Sequence, residues 1–318
     1  MGEKFEKKII PIFYASDENY LPFLTISAIS LKEHASRDYQ YRIYVLNADI
    51  DTNKTKKLKE QEEDWLKIQF VNVAKQIESI KNALQLRDYY TGTTYYRIFI
   101  AEMFPEYEKA LYIDSDTIFL DDVSKLFNVQ LGENYVGAIP DEAVASVKEF
   151  SSYTKEVLGI EANKYFNAGV LLINLKKCRE EGFYKRFCDL LSRYKFSVAQ
   201  DQDYLNVICK DKVCYIDKEW NRMPIGGKSV ERPKLIHYNL TLKPWHYENI
   251  LYQEYFWEYA RNSAYYDEVR SELDSYSKEQ KDKDARSEKI LKQLCLDEIA
   301  REDNYYKAYL KKHTKGEI

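Results

Sequence analysis

The chain has 318 residues, with 48 Lys and Arg against 52 Asp and Glu and a formal net charge of -4. That length suits one large α/β domain with room for an appendage, and it can bury a sizeable core. The balance of charge excludes nucleic acid as a partner drawn by overall charge, and no apolar run approaches the ~18 residues of a membrane-spanning helix.

Ile9–Tyr14 is a short apolar run ending at Ala15-Ser16-Asp17, and Leu21–Leu31 has helical apolar spacing. Tyr41–Leu46 is rich in β-formers. Asp51–Trp65 reads as a polar helix capped by Asp51 or Thr52, and Ile68–Val73 alternates as a strand does. Strands alternating with helices imply βαβ units and a mainly parallel sheet. Thr94–Met103 is a predicted helix stopped by Pro105. Ala110–Ile113, Thr117–Leu120, Tyr135–Ile139, Gly169–Leu175 and Lys234–His237 are predicted strands. Lys176–Tyr194, Asp201–Ile208 and Tyr252–Tyr259 are predicted helices. From about residue 251 the composition shifts, and Ser263–Ile318 is dense in both charge signs. This predicts one large domain over 1–250 and a helical extension over 251–318, with a solvated mixed-charge face.

The five cysteines form no CxxC pair and are odd in number. That argues against a disulfide framework or a structural zinc, and for a reducing cytosol. Met1–Lys8 is charged and too short for a signal n-region, so no targeting segment is expected.

The strongest chemical signal is Asp114-Ser115-Asp116 after the apolar Leu111-Tyr112-Ile113. In a continuing strand, residues i and i+2 share a face. The two carboxylates can then meet on one divalent cation, and such a cation stabilises a departing diphosphate. His237 follows another short strand and adds an imidazole, a set that suits Mn²⁺. Lys243 is held by Pro244 and Trp245, placed to meet a phosphate. Asn167-Ala168-Gly169 offers an amide for a sugar hydroxyl beside small residues that admit a ligand close to the backbone. Asp201 and Asp203 sit in the first turn of a helix, where acidic residues also serve the helix itself.

In this order along Ile9 to His246, these motifs resemble the family 8 glycosyltransferases, bacterial galactosyl- and glucosyltransferases that share a fold with glycogenin. The resemblance implies a Rossmann-like nucleotide-sugar-binding sheet of the glycosyltransferase A type. It implies that Ala15 and Asp17 hold uracil and ribose, with Asn19 nearby and Tyr20 stacked on the base. Thr94-Tyr95-Tyr96-Arg97 is similar to a helix whose arginine reaches the donor sugar and phosphates. By the same likeness Asp114, Asp116 and His237 bind Mn²⁺ or Mg²⁺, and Asp141, Asn167, Ala168 and Gly169 contact the sugar. Asp201 and Gln202 flank the anomeric carbon, and Lys243 binds the diphosphate. The family usually carries a small Thr-Gly pair after His-Tyr. Here it is Asn239-Leu240, which implies a differently shaped loop.

The expected reaction is retaining transfer of a hexose from a UDP-sugar to a glycan, glycolipid or glycoprotein acceptor in the bacterial cytoplasm. Gln202 would lie opposite the leaving group, and Asp203 is an alternative covalent nucleophile. The loop Arg87–Thr93 is expected to close over the donor. Two competing readings are an aspartate-dependent phosphohydrolase and a catalytically weak sugar-nucleotide-binding partner. Peripheral membrane contact gains little support from the near-balanced C-terminal charge.

Overall fold

The computed structural model describes residues 7–80, 92–225 and 232–314. Seven strands form one sheet in the order β3-β2-β1-β4-β7-β6-β8. They are β1 (Ile9–Ala15), β2 (Gln40–Asn47), β3 (Leu66–Asn72), β4 (Ala110–Ile113), β6 (Val136–Pro140), β7 (Phe166–Ile173) and β8 (Val213–Tyr215). β5 (Thr117–Phe119) and β9 (Leu235–His237) pair antiparallel in a separate ribbon. Four of the six pairings in the main sheet are parallel, and β7 runs against both its neighbours. The mainly parallel sheet expected from the sequence is present.

The apolar runs follow from burial on both faces. Ile10, Ile12 and Tyr14 of β1 enter one core with Ile43 and Val45, while Phe13 enters the other with Tyr44 and Leu46. A third core joins Phe23 and Ile26 of the first helix, Leu21–His34, to Tyr238, Trp245 and Phe256. It fastens the C-terminal part of the chain to the edge of the site. Among the described residues, no helix is long and apolar enough to cross a membrane.

Several predicted elements are redrawn. The helix over Asp51–Trp65 is a 3₁₀ turn, Thr52–Thr55, and one short helix, Lys56–Lys59. The chain then turns back, with Glu63 and Leu66 bridged, to enter β3. Lys176–Tyr194 is two helices, Leu175–Glu180 and Phe183–Arg193. Gly182 at φ +63° separates them, in the left-handed conformation that favours glycine. Thr94–Met103 falls within Gly92–Phe99, which is 3₁₀, followed by the α-turn Ile100–Met103. The predicted closing loop Arg87–Thr93 lies, apart from Gly92 and Thr93, outside the described residues.

Candidate active site

The two aspartates do not lie on a continuing strand. β4 ends at Ile113 and β5 begins at Thr117, so Asp114-Ser115-Asp116 is the bend between two sheets. The bend is pinned from three sides. Asp114 N donates to Gly169 O at 2.7 Å, Ser115 Oγ donates to Ala15 O at 3.1 Å, and Thr117 Oγ1 donates to Asp114 O at 2.9 Å. β9 pairs with β5 and sets His237 opposite Thr117.

The result is a convergent donor set. One ligand atom each from Asp114, Asp116 and His237 lies within 4.8 Å of the others. His237 Nε2 is 3.2 Å from Asp116 Oδ1 and 3.7 Å from Asp114 Oδ2. Both carboxylates have their other oxygen occupied. Asp114 Oδ1 accepts from Tyr112 OH at 2.8 Å and from Arg97 Nη2 at 3.3 Å, and Asp116 Oδ2 accepts from Lys243 Nζ at 2.5 Å. Burial alone would raise the Asp116 carboxyl, but Lys243 and His237 outweigh it and hold it well below the usual carboxylate range. Two charged oxygens and one imidazole nitrogen facing one point fit a divalent cation of the Mn²⁺ type. Gly169 faces the same point: a Cβ there would collide with His237 Cε1 and lie 2.5 Å from Asp114 Oδ2.

The strand predicted to begin at Gly169 begins at Phe166, so the whole Asn167-Ala168-Gly169 strip lies inside β7, all of whose residues are buried. The ladder with β6 slips register here, between Ala138 and Ile139, which frees the strip's polar groups for other partners. Ala168 N donates to Gln202 Oε1 at 2.9 Å, and Gly169 N donates to Asn167 Oδ1 at 2.9 Å. Asp141 Oδ2 accepts from Asn167 Nδ2 at 3.1 Å and from Gln202 Nε2 at 3.2 Å. Its Oδ1 caps the helix Glu142–Ser146 through Ala143 N and Val144 N. Asp141, Asn167, Ala168 and Gln202 are therefore one wall.

Arg97 stands behind that wall, 6% exposed. Nη1 donates to Ala168 O, Nε donates to Thr94 O at 2.9 Å, and the guanidinium lies 4.2 Å from the Tyr112 ring centre. Each guanidinium nitrogen meets a protein group, with Nη2 3.3 Å from Asp114 Oδ1, so Arg97 steadies the wall and one carboxylate of the cluster from behind. Arg97 Nε lies 3.1 Å from Asp201 Oδ2, but its hydrogen points to Thr94 O. Asp201 Oδ2 thus makes no aligned hydrogen bond among the described residues. Burial pushes the Asp201 carboxyl up to about 6, against the pull of Arg97.

Asp203 does not suit covalent attack. It is fully buried, with Oδ1 accepting from Tyr165 OH at 2.7 Å and Oδ2 accepting from Tyr153 OH at 2.8 Å and Ala199 N at 2.9 Å. Three donors fill the carboxylate, which anchors the helix Asp201–Ile208 behind the site.

The first loop meets the site at its open edge. Ala15 ends β1, Asp17 Oδ1 accepts from Tyr20 N at 3.1 Å, and the Tyr20 ring centre is 5.9 Å from Lys243 Nζ. Asn19 is exposed. Lys243 is buried and also donates to Tyr238 O at 2.7 Å. Leu240 was expected to reshape the loop before it. It takes φ +54°, the region a glycine favours, a conformation that costs a leucine about 1–3 kcal/mol.

One residue of the site carried no separate signal in the sequence. Asn221, 1% exposed, bonds both His237 and Asn167. Outside that set, Gln200 stands just before the helix Asp201–Ile208, fully buried at φ +44°.

This geometry can be set beside known proteins. The model of glycosyl transferase family 8 matches residues 11–249. The chain belongs to glycosyl transferase family 8. It is 30% identical over 238 residues to a Haemophilus influenzae protein named as a glycosyltransferase, covering 74% of this chain and 70% of that one. It is 26% identical over 254 residues to lipopolysaccharide 1,2-glucosyltransferase of Escherichia coli, covering 74% and 72%. The solved galactosyltransferase LgtC, in complex with donor and acceptor sugar analogs, superposes with a TM-score of 0.71 at 28% identity, covering 83% of this chain and 100% of that one. The family 8 fold expected from the motifs is thus present, with the metal-type cluster inside the matched span.

Proposed function

We propose that the chain moves a hexose, glucose or galactose, from a UDP-sugar to a hydroxyl of a cell-surface glycan, glycolipid or glycoprotein, with retention and with dependence on Mn²⁺ or Mg²⁺. The observation that carries this reading is the convergence of Asp114, Asp116 and His237 beside a buried polar wall. That wall is built from the side chains of Asp141, Asn167 and Gln202 and the backbone of Ala168, groups that both donate and accept. Sugar hydroxyls also both donate and accept, so they suit such a network.

In this reading Asp114, Asp116 and His237 hold the cation, which when bound neutralises charge on the diphosphate. Ala15, Asp17 and Tyr20 seat the nucleoside, with Asn19 at the rim, and Lys243 meets the diphosphate. Asp141, Asn167, Ala168 and Gly169 line the sugar. Gln202 lies across from the leaving group with its amide engaged at both ends, which makes it a poor nucleophile and supports front-side attack. The five free thiols support a reducing compartment, the bacterial cytoplasm. Nucleic acid is not an expected partner. A phosphohydrolase needs a free first aspartate, whereas Asp114 Oδ1 is held by Tyr112 and Arg97.

The test is UDP release from a panel of UDP-hexoses with Mn²⁺, with and without EDTA, alongside a generic aryl phosphate. One donor should be hydrolysed slowly, with the activity lost on chelation. Asp116→Asn should cut that rate by at least about 100-fold, since ligand placement governs affinity and activity at such centres. Aryl phosphate turnover instead would favour the phosphohydrolase.

We take residues 251–318 as an extension that braces the Lys243 loop. His246 stacks on Tyr276, ring centres 4.0 Å apart, with Nε2 2.9 Å from Glu272 Oε1. Tyr247 OH and Tyr276 OH donate to the buried Asp284 Oδ2 at 2.7 and 2.8 Å. Asp284→Ala strips both hydroxyls of that acceptor, at a cost of about 1–3 kcal/mol. The expected outcome is a lower thermal midpoint and a raised KM for the UDP-sugar, with kcat less affected. An unchanged KM would reject the brace.

A further inference from the structure

We infer that Asn221 is a positioning residue that fixes the tautomer of His237 and ties the cation site to the sugar wall through one polarised chain of hydrogen bonds. The inference rests on the reading of Asp114, Asp116 and His237 as a cation site.

Asn221 ends the 3₁₀ turn Lys218–Asn221, which packs beside β9. Its Oδ1 is 3.0 Å from His237 Nδ1, and its Nδ2 donates to Asn167 Oδ1 at 3.0 Å. An amide can be turned end for end, so its orientation needs a cause, and the far end of the chain supplies it. The Asp141 carboxylate accepts, so Asn167 must present its NH₂ there, at 3.1 Å. Asn167 Oδ1 then faces the other way, where Gly169 N also donates to it at 2.9 Å. Asn221 must meet that oxygen with its own NH₂ and turn Oδ1 to the imidazole. His237 Nδ1 therefore carries a hydrogen, and Nε2 is the nitrogen turned toward Asp114 and Asp116, the one that would bind the cation.

Metal-binding histidines commonly donate their second N–H to a carboxylate or carbonyl, which fixes the tautomer and raises basicity. Here two amides in series carry that influence from Asp141, a residue of the sugar wall. Gln202 Nε2 donates to the same Asp141 Oδ2 at 3.2 Å. The ligand histidine and the wall opposite the leaving group thus share one carboxylate.

The two ends of the Asn221 side chain can be separated. Asn221→Ala removes both, and Mn²⁺ affinity, read by electron paramagnetic resonance of free Mn²⁺ without nucleotide, should fall by about 10–100-fold. Asn221→Asp keeps an acceptor for His237 Nδ1 but sets a carboxylate against Asn167 Oδ1. Its Mn²⁺ affinity should stay within about threefold of the natural chain or tighten, while KM for the UDP-sugar rises. A purely packing role would move Mn²⁺ affinity together in both variants, and equal losses overturn the inference. The unsubstituted chain gives a reading free of folding effects. It has four histidines, and ¹⁵N spectra of the metal-free protein should show His237 protonated on Nδ1. An Nδ1 without a proton overturns the inference and leaves the cation site standing. No Mn²⁺ binding by the unsubstituted chain overturns the cation site, and the inference with it.

Discussion

Gly169→Ala is expected to abolish metal-dependent UDP release while leaving the protein folded. The cause is space. The added methyl would meet His237 Cε1 and Asp114 Oδ2 in the gap where the donors converge. Neither side can withdraw at low cost. Gly169 O accepts from Asp114 N at 2.7 Å, and Gly169 N is tied to Asn167 Oδ1 at 2.9 Å. His237 is anchored by its strand and by Asn221. Metal–ligand distances tolerate only about 0.2 Å, so a displaced ligand is a lost ligand. Mn²⁺ affinity should fall by at least the ~10–100-fold seen when the surroundings of ligands are disturbed. Overpacking a core by one methyl costs about 1–3 kcal/mol, within what a domain of this size withstands. Spin-resonance titration and a thermal melt on the same sample separate the two effects. Wild-type Mn²⁺ affinity in a folded variant would place the cation elsewhere.

What the sequence made legible, and what it hid, follows from which physics is local. The strands β1, β4 and β7 are readable because burial on both faces demands unbroken apolar runs. The Asp114-Ser115-Asp116 motif is readable because two charges beside such a run demand a reason. The geometry that unites them was misread: the same-face argument for a strand does not apply to a bend between two sheets. The oxygens meet because Gly169, Ala15 and Thr117 hold that bend. The helix over Asp51–Trp65 fails for a similar reason. Polar, charged residues satisfy a helix pattern, yet the chain must turn early for β3 to pair with β2 over seven residues. Arg97 shows the limit most clearly. Its place in the site was legible as a motif, but whether its guanidinium faces ligand or protein depends on Thr94, Ala168, Asp114 and Asp201, gathered from across the chain. Asn221 sits after Asp217-Lys218-Glu219-Trp220 with no periodicity to single it out, and its role exists only once β9 brings His237 beside it.

Removing Arg97 should give the largest stability loss, and the loss should depend on pH. Arg97→Met keeps the aliphatic stem and deletes the cation. Asp201 then loses the strongest influence holding its carboxyl down, and Asp114 loses one donor to Oδ1. Breaking a buried charge pair from one side costs about 3–5 kcal/mol. The pH dependence follows from Asp201. Its folded value, about 6, lies above the ~3.9 of an unfolded aspartate, so the native state holds this proton more tightly. The stability this brings is full below about pH 4 and is lost as the pH rises through 6. Without Arg97 the carboxyl moves further up, and the ionised form becomes still less tolerable. At pH 5 Asp201 is largely protonated in both folded proteins, so the gap between natural chain and variant is at its smallest there. By pH 8 the natural chain holds an ionised Asp201 beside Arg97, while the variant must either bury that charge alone or keep the proton at a cost. Urea midpoints at pH 5 and pH 8 measure the difference directly. Asp201→Asn in the Arg97→Met background should recover much of the loss at pH 8 and little at pH 5, because it removes the orphaned charge. Equal destabilisation at both pH values, with no rescue by Asp201→Asn, would mean that Arg97 serves chiefly through its bond to Ala168 O and its contact with the Tyr112 ring.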